Sequence, residues 1–188
     1  MSHKPILHCI GVSYKKADVE TRGRFSLSLP AQSLLLQEAK RLHIDALAVQ
    51  STCNRTELYA HCTNAQDLIG LLCAFSNGTK EQFQDVGYVY RDRDAIDHLF
   101  RVGTGLDSQI LGDFEIIAQL KKSFSRSKKQ SLINPYFERL FTSVIQASKR
   151  IKNETKLSSG STSVSYVSVR YMLDRIPEID KKNILLFG

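Results

Sequence analysis

Apolar and polar positions follow two rhythms along this chain, and the change falls near Asp92. Before it, short apolar runs with strand character (Ile6–Ser13, Ala46–Val49, Leu58–Ala60 and Val86–Tyr90) are separated by stretches at helical spacing. A short polar helix is expected between Ala17 and Phe25. Leu34, Leu35, Ala39 and Leu42 share one helical face after Pro30, a residue tolerated in a first turn. Asn64 and Asp67 have the spacing of a capping box ahead of Leu68, Ile69, Leu72 and Phe75, and that helix stops at Asn77-Gly78. A helical turn is expected from Thr79 to Phe83. The alternation predicts an α+β fold, a βαβ-type sandwich of sheet and helices, and leaves the strand order open.

After Asp92 the signal is helical. Ile96, Leu99 and Phe100, then Leu106, Ile110 and Leu111, form apolar clusters interrupted by Gly103-Thr104-Gly105 and by Gly112-Asp113-Phe114-Glu115. Glycines beside polar groups suit either tight turns or close approach of a ligand to backbone. Asn134-Pro135 opens the clearest helix, whose stripe of Phe137, Leu140, Phe141, Val144, Ile145, Ser148 and Ile151 reads as core. Ser158–Ser161 reads as a break. Ser163–Val169 suits helix or strand; helix is preferred because Tyr171, Met172 and Leu173 continue the pattern until Pro177. Ile184–Gly188 reads as a buried strand, which needs neighbours for its backbone groups.

One cysteine departs from this packing logic. Cys53 lies between the second and third strand signals, in Gln50-Ser51-Thr52-Cys53-Asn54-Arg55-Thr56-Glu57, among small, polar and charged groups that a core cysteine does not need. A strand end or tight turn is its expected setting. Two readings stand on residue types alone, a buried small hydrophobe and a nucleophile. Cys9, Cys53, Cys62 and Cys73 contain no CxxC pair, and the five histidines contain no HExxH, so neither disulfide framework nor metal centre is expected. A reducing, cytoplasmic setting is the economical expectation. No apolar run approaches a membrane span, and no long apolar segment follows Met1.

The net charge of +7 points toward a polyanion. Lys121, Lys122, Arg126, Lys128 and Lys129 lie in one segment without a negative charge, and Lys149, Arg150 and Lys152 lie in a second. Such runs are either solvated faces or contacts for nucleic-acid phosphates.

Several blocks together carry a resemblance. Gly11-Val12-Ser13 with Ala17, Ser51–Tyr59 around Cys53, His98–Val102, Gly105–Ser108 with Ile110-Leu111-Gly112, Ala147–Arg150 with Glu154-Thr155, and Ser163-Val164-Ser165 occur in order. In these blocks the chain resembles the glutamyl-tRNA reductase family. The resemblance implies a catalytic, glutamyl-tRNA-binding domain over 1–156 with a helical subdomain, a connecting helix over 157–182, and over 183–188 the first strand of a truncated Rossmann domain for NADPH, with Gly188 beginning its phosphate loop. It implies Cys53 as the nucleophile that takes glutamate from the tRNA ester as a thioester, and hydride from NADPH reducing that thioester to glutamate-1-semialdehyde for tetrapyrrole synthesis. The chain by itself is then expected to acylate without reducing.

Role by role, Arg55 is implied as the binder of the substrate carboxylate, although it is equally spaced to pair with Glu57. His98 is implied near the cysteine, although it also suits a core histidine. Thr52, Asn54, Ser13, Ser108, Asp113 and Glu115 are the other candidates for holding substrate, and the two basic segments become candidates for tRNA contact. The resemblance requires no metal, and implies a homodimeric parent with a glutamate-1-semialdehyde aminomutase as partner. The chain departs from the family pattern at Tyr14, Asp18, Gly23, Asp113 and Glu115; at the last, a carboxylate replaces an amide. A non-catalytic tRNA-binding module is the alternative from a different class.

Overall fold

The computed structural model describes residues 4–113, 115–155, 157 and 164–185. Four strands, β1 (Ile6–Ser13), β2 (Ala46–Ser51), β3 (Arg55–Cys62) and β4 (Tyr88–Arg91), form one sheet in the order β2-β3-β1-β4. Every neighbouring pair is antiparallel. The connection from β1 to β2 carries α1 (Val19–Arg24) and α2 (Leu29–Arg41) and passes over β3. The connection from β3 to β4 carries α3 (Ala65–Phe75) and α4 (Lys80–Val86) and passes over β1. Two interlocked crossovers of this kind make a split β-α-β sheet, so the α+β sandwich expected from the alternation is the one formed.

The sheet is buried on both faces because helices cover both. Ile10, Val12, Leu47, Val49, Leu58 and Ala60 point to one side and pack with Leu35, Leu36, Leu68 and Leu72 of α2 and α3. Leu7, Cys9, Ala46, Ala48 and Tyr59 point to the other, against α5 (Asp92–Gly103), α6 (Glu115–Lys129) and α7 (Pro135–Glu154). The period of two along each strand sorts the two sets. It also sends Arg55, Glu57 and Tyr59 of β3 to the same face, beneath α5.

Local signals set most element ends. Ser28 accepts from the Ala31 amide with Pro30 in the first turn of α2, and Asn134 accepts from the Phe137 amide with Pro135 opening α7. The expected box at Asn64 and Asp67 is a one-sided cap, Asn64 accepting from Gln66. The reciprocal box occurs at Thr79 and Gln82 instead. That box, with buried Phe83 behind it, extends α4 to Val86 and moves the start of β4 to Tyr88.

Ser163–Val169 folds as helix over its described part, α8 (Val164–Arg175), which ends before Pro177. Tyr166, Val167, Val169, Tyr171 and Leu173 are exposed on it. The strand expected at Ile184–Gly188 is not formed over Ile184 and Leu185, which are exposed and have no ladder partner. Leu186, Phe187 and Gly188, with the cofactor expectation placed on Gly188, lie outside the described residues. So do Ser158–Ser161, where the break was expected. Among the described residues no helix is long and apolar enough to cross a membrane.

Candidate active site

Cys53 occupies the middle of the three-residue link between β2 and β3, exposed and without a disulfide. The link is pinned from within and from both sides. Thr52 donates its amide to the Arg55 carbonyl at 2.8 Å, and its hydroxyl accepts from the amides of Asn54 and Arg55, each at 3.2 Å. A threonine folding back in this way substitutes for backbone pairing in a tight turn. From outside, the Tyr14 amide donates to the Asn54 carbonyl at 2.9 Å, and Arg22 Nε donates to the Cys53 carbonyl at 3.2 Å. Ser51 receives the Leu27 amide at 3.0 Å. The thiol is thereby presented to solvent on a fixed corner of the sheet.

Two clefts open beside it. One is lined by Arg55, Ser108, Asp113, Glu115 and Gln119 together with Thr52, Cys53 and Asn54. The other runs along α6 and is lined by Gln50, Gln119, Lys122 and Arg126 together with Thr52 and Cys53. Cys53 is common to both. The first contains two acidic side chains near the start of α6; the second contains two cations one helical turn apart on the same helix.

Behind the first cleft lies a buried ionic cluster. Arg55 is 2% exposed and Glu57 fully buried. Arg55 Nη1 donates to Glu57 Oε1 at 3.1 Å and to Asp107 Oδ2 at 3.0 Å, while Nη2 donates to the Asp107 carbonyl. Glu57 also receives Tyr59 Oη at 2.6 Å and Tyr88 Oη, and His98 Nε2 lies 2.7 Å from its Oε1. Asp107 is held in turn by Lys15. Burial alone would raise the Glu57 pKa, but the Arg55 charge and the hydrogen bond from His98 outweigh it and hold the carboxyl at about 2. Burial would likewise lower the Arg55 pKa, and the neighbouring Glu57 overcomes it, so the guanidinium stays charged. Burial followed by the Glu57 charge pushes Tyr59 and Tyr88 well up, keeping both hydroxyls as donors. Asp107 is kept below the usual carboxylate range, because the Lys15 bond and the Arg55 charge exceed its desolvation.

Gly11 makes the cluster possible. It stands opposite Glu57 in the β1–β3 register. A Cβ there would lie 2.7 Å from Glu57 Cγ and 3.0 Å from Tyr88 Oη. Any side chain would therefore push the carboxylate out of its place.

The residues expected to hold or act on substrate fall into two groups. Thr52, Asn54, Arg55, Ser108, Asp113 and Glu115 gather around Cys53. Thr52 spends its hydroxyl on the turn, and Asp113 accepts from the Glu115 amide at 2.9 Å at the start of α6. Ser13 and His98 line a different cavity, on the far side of the Arg55–Asp107 pair, with Lys15, Tyr88 and Tyr90. His98 is buried against Glu57, which also satisfies the core-histidine alternative. Arg55 makes the Glu57 pair that its spacing allowed, and it lines the Cys53 cleft as well.

Of the basic candidates, Lys122 and Arg126 line the groove at Cys53. Lys121 and Lys129 are exposed on α6, and Lys128 pairs with Glu138 at 2.5 Å. On α7, Lys149 and Lys152 are exposed and Arg150 pairs with Glu154 of its own helix at 3.2 Å.

Among the described residues one trio, Cys9, Glu57 and His98, brings metal-ligand atoms within 4.8 Å of one another. The trio does not suit a cation. Both Glu57 oxygens are already engaged, the Arg55 charge stands against them, and burial pushes the Cys9 thiol well up, away from the thiolate a metal binds.

Sequence reasoning gave no site role to Asp107, Lys15, Arg22, Tyr88 and Gln119, and named Glu57 only as an alternative partner for Arg55. Glu57 alone carried a usable signal, a charge two residues from Arg55 on the same face of one strand. The others reach the site from distant segments.

The β2–β3 corner thus combines an exposed cysteine on a pinned hairpin, a buried arginine behind it and a groove with two cations beside it. The sequence profile of the family described as "Glutamyl-tRNAGlu reductase, N-terminal domain" matches residues 10–155. The chain is 58% identical over 181 residues to "Glutamyl-tRNA reductase" of Christiangramia forsetii, covering 96% of this chain and 43% of that protein. It is 54% identical to "Glutamyl-tRNA reductase 2" of Flavobacterium johnsoniae, covering 100% of this chain and 43% of that protein. The solved structure "Glutamyl-tRNA Reductase from Methanopyrus kandleri" superposes with a TM-score of 0.70 at 26% identity, over 89% of this chain and 39% of that one. The chain belongs to the glutamyl-tRNA reductase family, matches its N-terminal domain, and spans less than half the length of these relatives.

Proposed function

We propose that this chain carries the thioester-forming half of an NADPH-dependent glutamyl-tRNA reductase. Cys53 attacks the carbonyl of the ester joining glutamate to the terminal ribose of tRNA. A sulfur–carbon bond forms, the carbon–oxygen bond to ribose breaks, and the ribose oxygen leaves with a proton as free tRNA. A thiolate is the nucleophilic form of the residue, and the thioester it makes is more readily reduced by hydride than the oxygen ester it replaces. NADPH would supply that hydride. Its assigned residue, Gly188, lies outside the described residues, so every step derived for this chain stops at the acyl-enzyme.

The observation that carries the reading is the position of Cys53 at the junction of two chemically different clefts. The arginine side suits a glutamyl group, whose side-chain carboxylate matches a guanidinium. On that side Asp113 and Glu115 suit the α-ammonium. The groove with Lys122 and Arg126 suits the phosphates of the RNA. Carbonyl attack at the shared wall then leaves amino acid in one cleft and RNA in the other.

The test uses the chain and glutamyl-tRNA labelled in the glutamate. The wild type is expected to become covalently labelled, with the label located on Cys53 by mass spectrometry, and Cys53→Ser is expected to carry none. Equal labelling of the two proteins would remove Cys53 from the role. Salt-sensitive tRNA binding with neither acyl-enzyme nor deacylation would leave a binding module.

A further inference from the structure

Two cavities meet at the contact between Arg55 and Asp107. Arg55 lines the cleft at Cys53, which holds about 90 Å³. Asp107 lines the cavity with Ser13, Tyr88 and His98, which holds about 340 Å³. The cleft at the nucleophile is the smaller of the two. The ion pair between Arg55 and Asp107 is the partition.

One contact joins the two side chains of the partition. Asp107 is tied by its backbone, its amide donating to the Arg101 carbonyl at 3.0 Å and its carbonyl accepting from Arg55 Nη2. Its Oδ1 is held by Lys15, a half-exposed side chain from the loop after β1. Only the bond from Arg55 Nη1 to Oδ2, at 3.0 Å, joins its carboxylate to the guanidinium. If that bond opens, Arg55 remains held by Glu57 and by the Asp107 carbonyl, and Asp107 remains paired with Lys15. Rotation of one side chain suffices; the segment between α5 and α6 need not move.

We propose that Asp107 is a built-in competitor for the substrate carboxylate: it occupies the place on Arg55 that the glutamyl side chain takes, and its displacement toward Lys15 joins the two cavities beside Cys53. The identity of the substrate rests on the reading above. Exchanging one carboxylate for another leaves no buried charge unpaired at the end of the step. A neutral carboxamide cannot make the exchange, because it would strip Asp107 from the guanidinium and return no charge, an outcome penalised in a buried site. Asp107 is thus a specificity-determining residue that sets a threshold only a carboxylate-bearing group crosses.

The experiment compares wild type with Asp107→Asn, checking by circular dichroism and thermal melting that both are folded. Acylation of Cys53 is measured against glutamyl-tRNA concentration, and binding of glutarate, a five-carbon dicarboxylate with no ester, is measured by calorimetry. Removing the competitor raises the fraction of protein competent to bind, so the half-saturating concentration is expected to fall about tenfold and glutarate to bind tighter by a similar factor. If Asp107 merely positions Arg55, both quantities rise; if the ligand uses another edge of the guanidinium, neither changes. Either result overturns the proposal. Should Asp107→Asn fail to fold, a crystal structure of the wild type with glutarate decides: a ligand carboxylate on Nη1 with Asp107 turned to Lys15 supports it, and an intact Arg55–Asp107 contact with glutarate bound refutes it. Displacement of Asp107 by glutarate in a protein that never becomes acylated would retire the reductase reading and leave the competitor standing.

Discussion

Glu57 is the residue on which the site's geometry depends. It is fully buried and engages Arg55, Tyr59, Tyr88 and His98 at once. Replacing it by Gln removes the charge opposite a guanidinium that stays protonated, and loss of one partner of a buried pair costs about 3–5 kcal/mol. Urea unfolding of Glu57→Gln at neutral pH is expected to show a loss of that size. The pH dependence has a definite sign. The folded carboxyl titrates at about 2 against a reference of 4.5, so its contribution is complete above the reference value and is lost as pH falls from there toward about 2. Wild-type stability is expected to drop across that window, and Glu57→Gln to show a shallower drop, measured by unfolding at a series of acidic pH values. A steeper acid limb in the variant would contradict the assignment. Gly11→Ala tests the same cluster from the opposite strand, because its Cβ would meet Glu57 Cγ at 2.7 Å. Overpacking of this kind costs about 1–3 kcal/mol, and acylation is expected to fall together with stability.

Among the elements, the β2–β3 hairpin and the N-terminal end of α7 carry the clearest consequences. The hairpin places Cys53 outward and Arg55 inward two residues later. Its link is braced by Thr52, so Thr52→Ala is expected to loosen the turn that holds Cys53, and under the proposed function to slow acylation, while leaving the sheet register intact; amide exchange at Asn54 and Arg55 reports the loosening. At α7, Asn134 Oδ1 accepts from the Phe137 amide at 2.8 Å, and its Nδ2 donates to Asp45, which lies 2.9 Å from His61. One side chain thereby caps the longest helix and fastens it to the sheet. Asn134→Ala is expected to cost about 1–2 kcal/mol, the upper range for a lost cap, in a urea titration. No change in the midpoint would show that neither contact contributes.

At the scale of the whole molecule, charge is sorted around Cys53. Lys122 and Arg126 face the groove at Cys53, whereas Lys128 and Arg150 are paired with glutamates on the surface. If the groove receives RNA, neutralising Lys122 or Arg126 is expected to reduce the slope of log affinity against log salt by about 1 each, and Arg150→Ala to leave it nearly unchanged. Equal effects at the three positions would place the RNA on the general basic surface rather than in the groove.

The amino-acid pattern by itself determined the strands, the principal helices, and the isolation of Cys53 in a turn, because these depend on period-two and helical spacing and on nearby caps and prolines. It also located Arg55 and the basic run of α6. Its errors were local competitions, such as the Thr79–Gln82 box extending a helix over Val86. The strand order, the burial of Arg55 against Glu57 and Asp107, and the separation of His98 from Cys53 were decided only by the tertiary structure. Apart from the Arg55–Glu57 pair, the contacts of the cluster that cross between elements join residues 31 to 92 positions apart, from the loop after β1, β3, β4, α5 and the turn after it. Charge pairing across such distances has no sequence period, since it is created when the crossovers stack α5 over the sheet and exclude water from one face of β3.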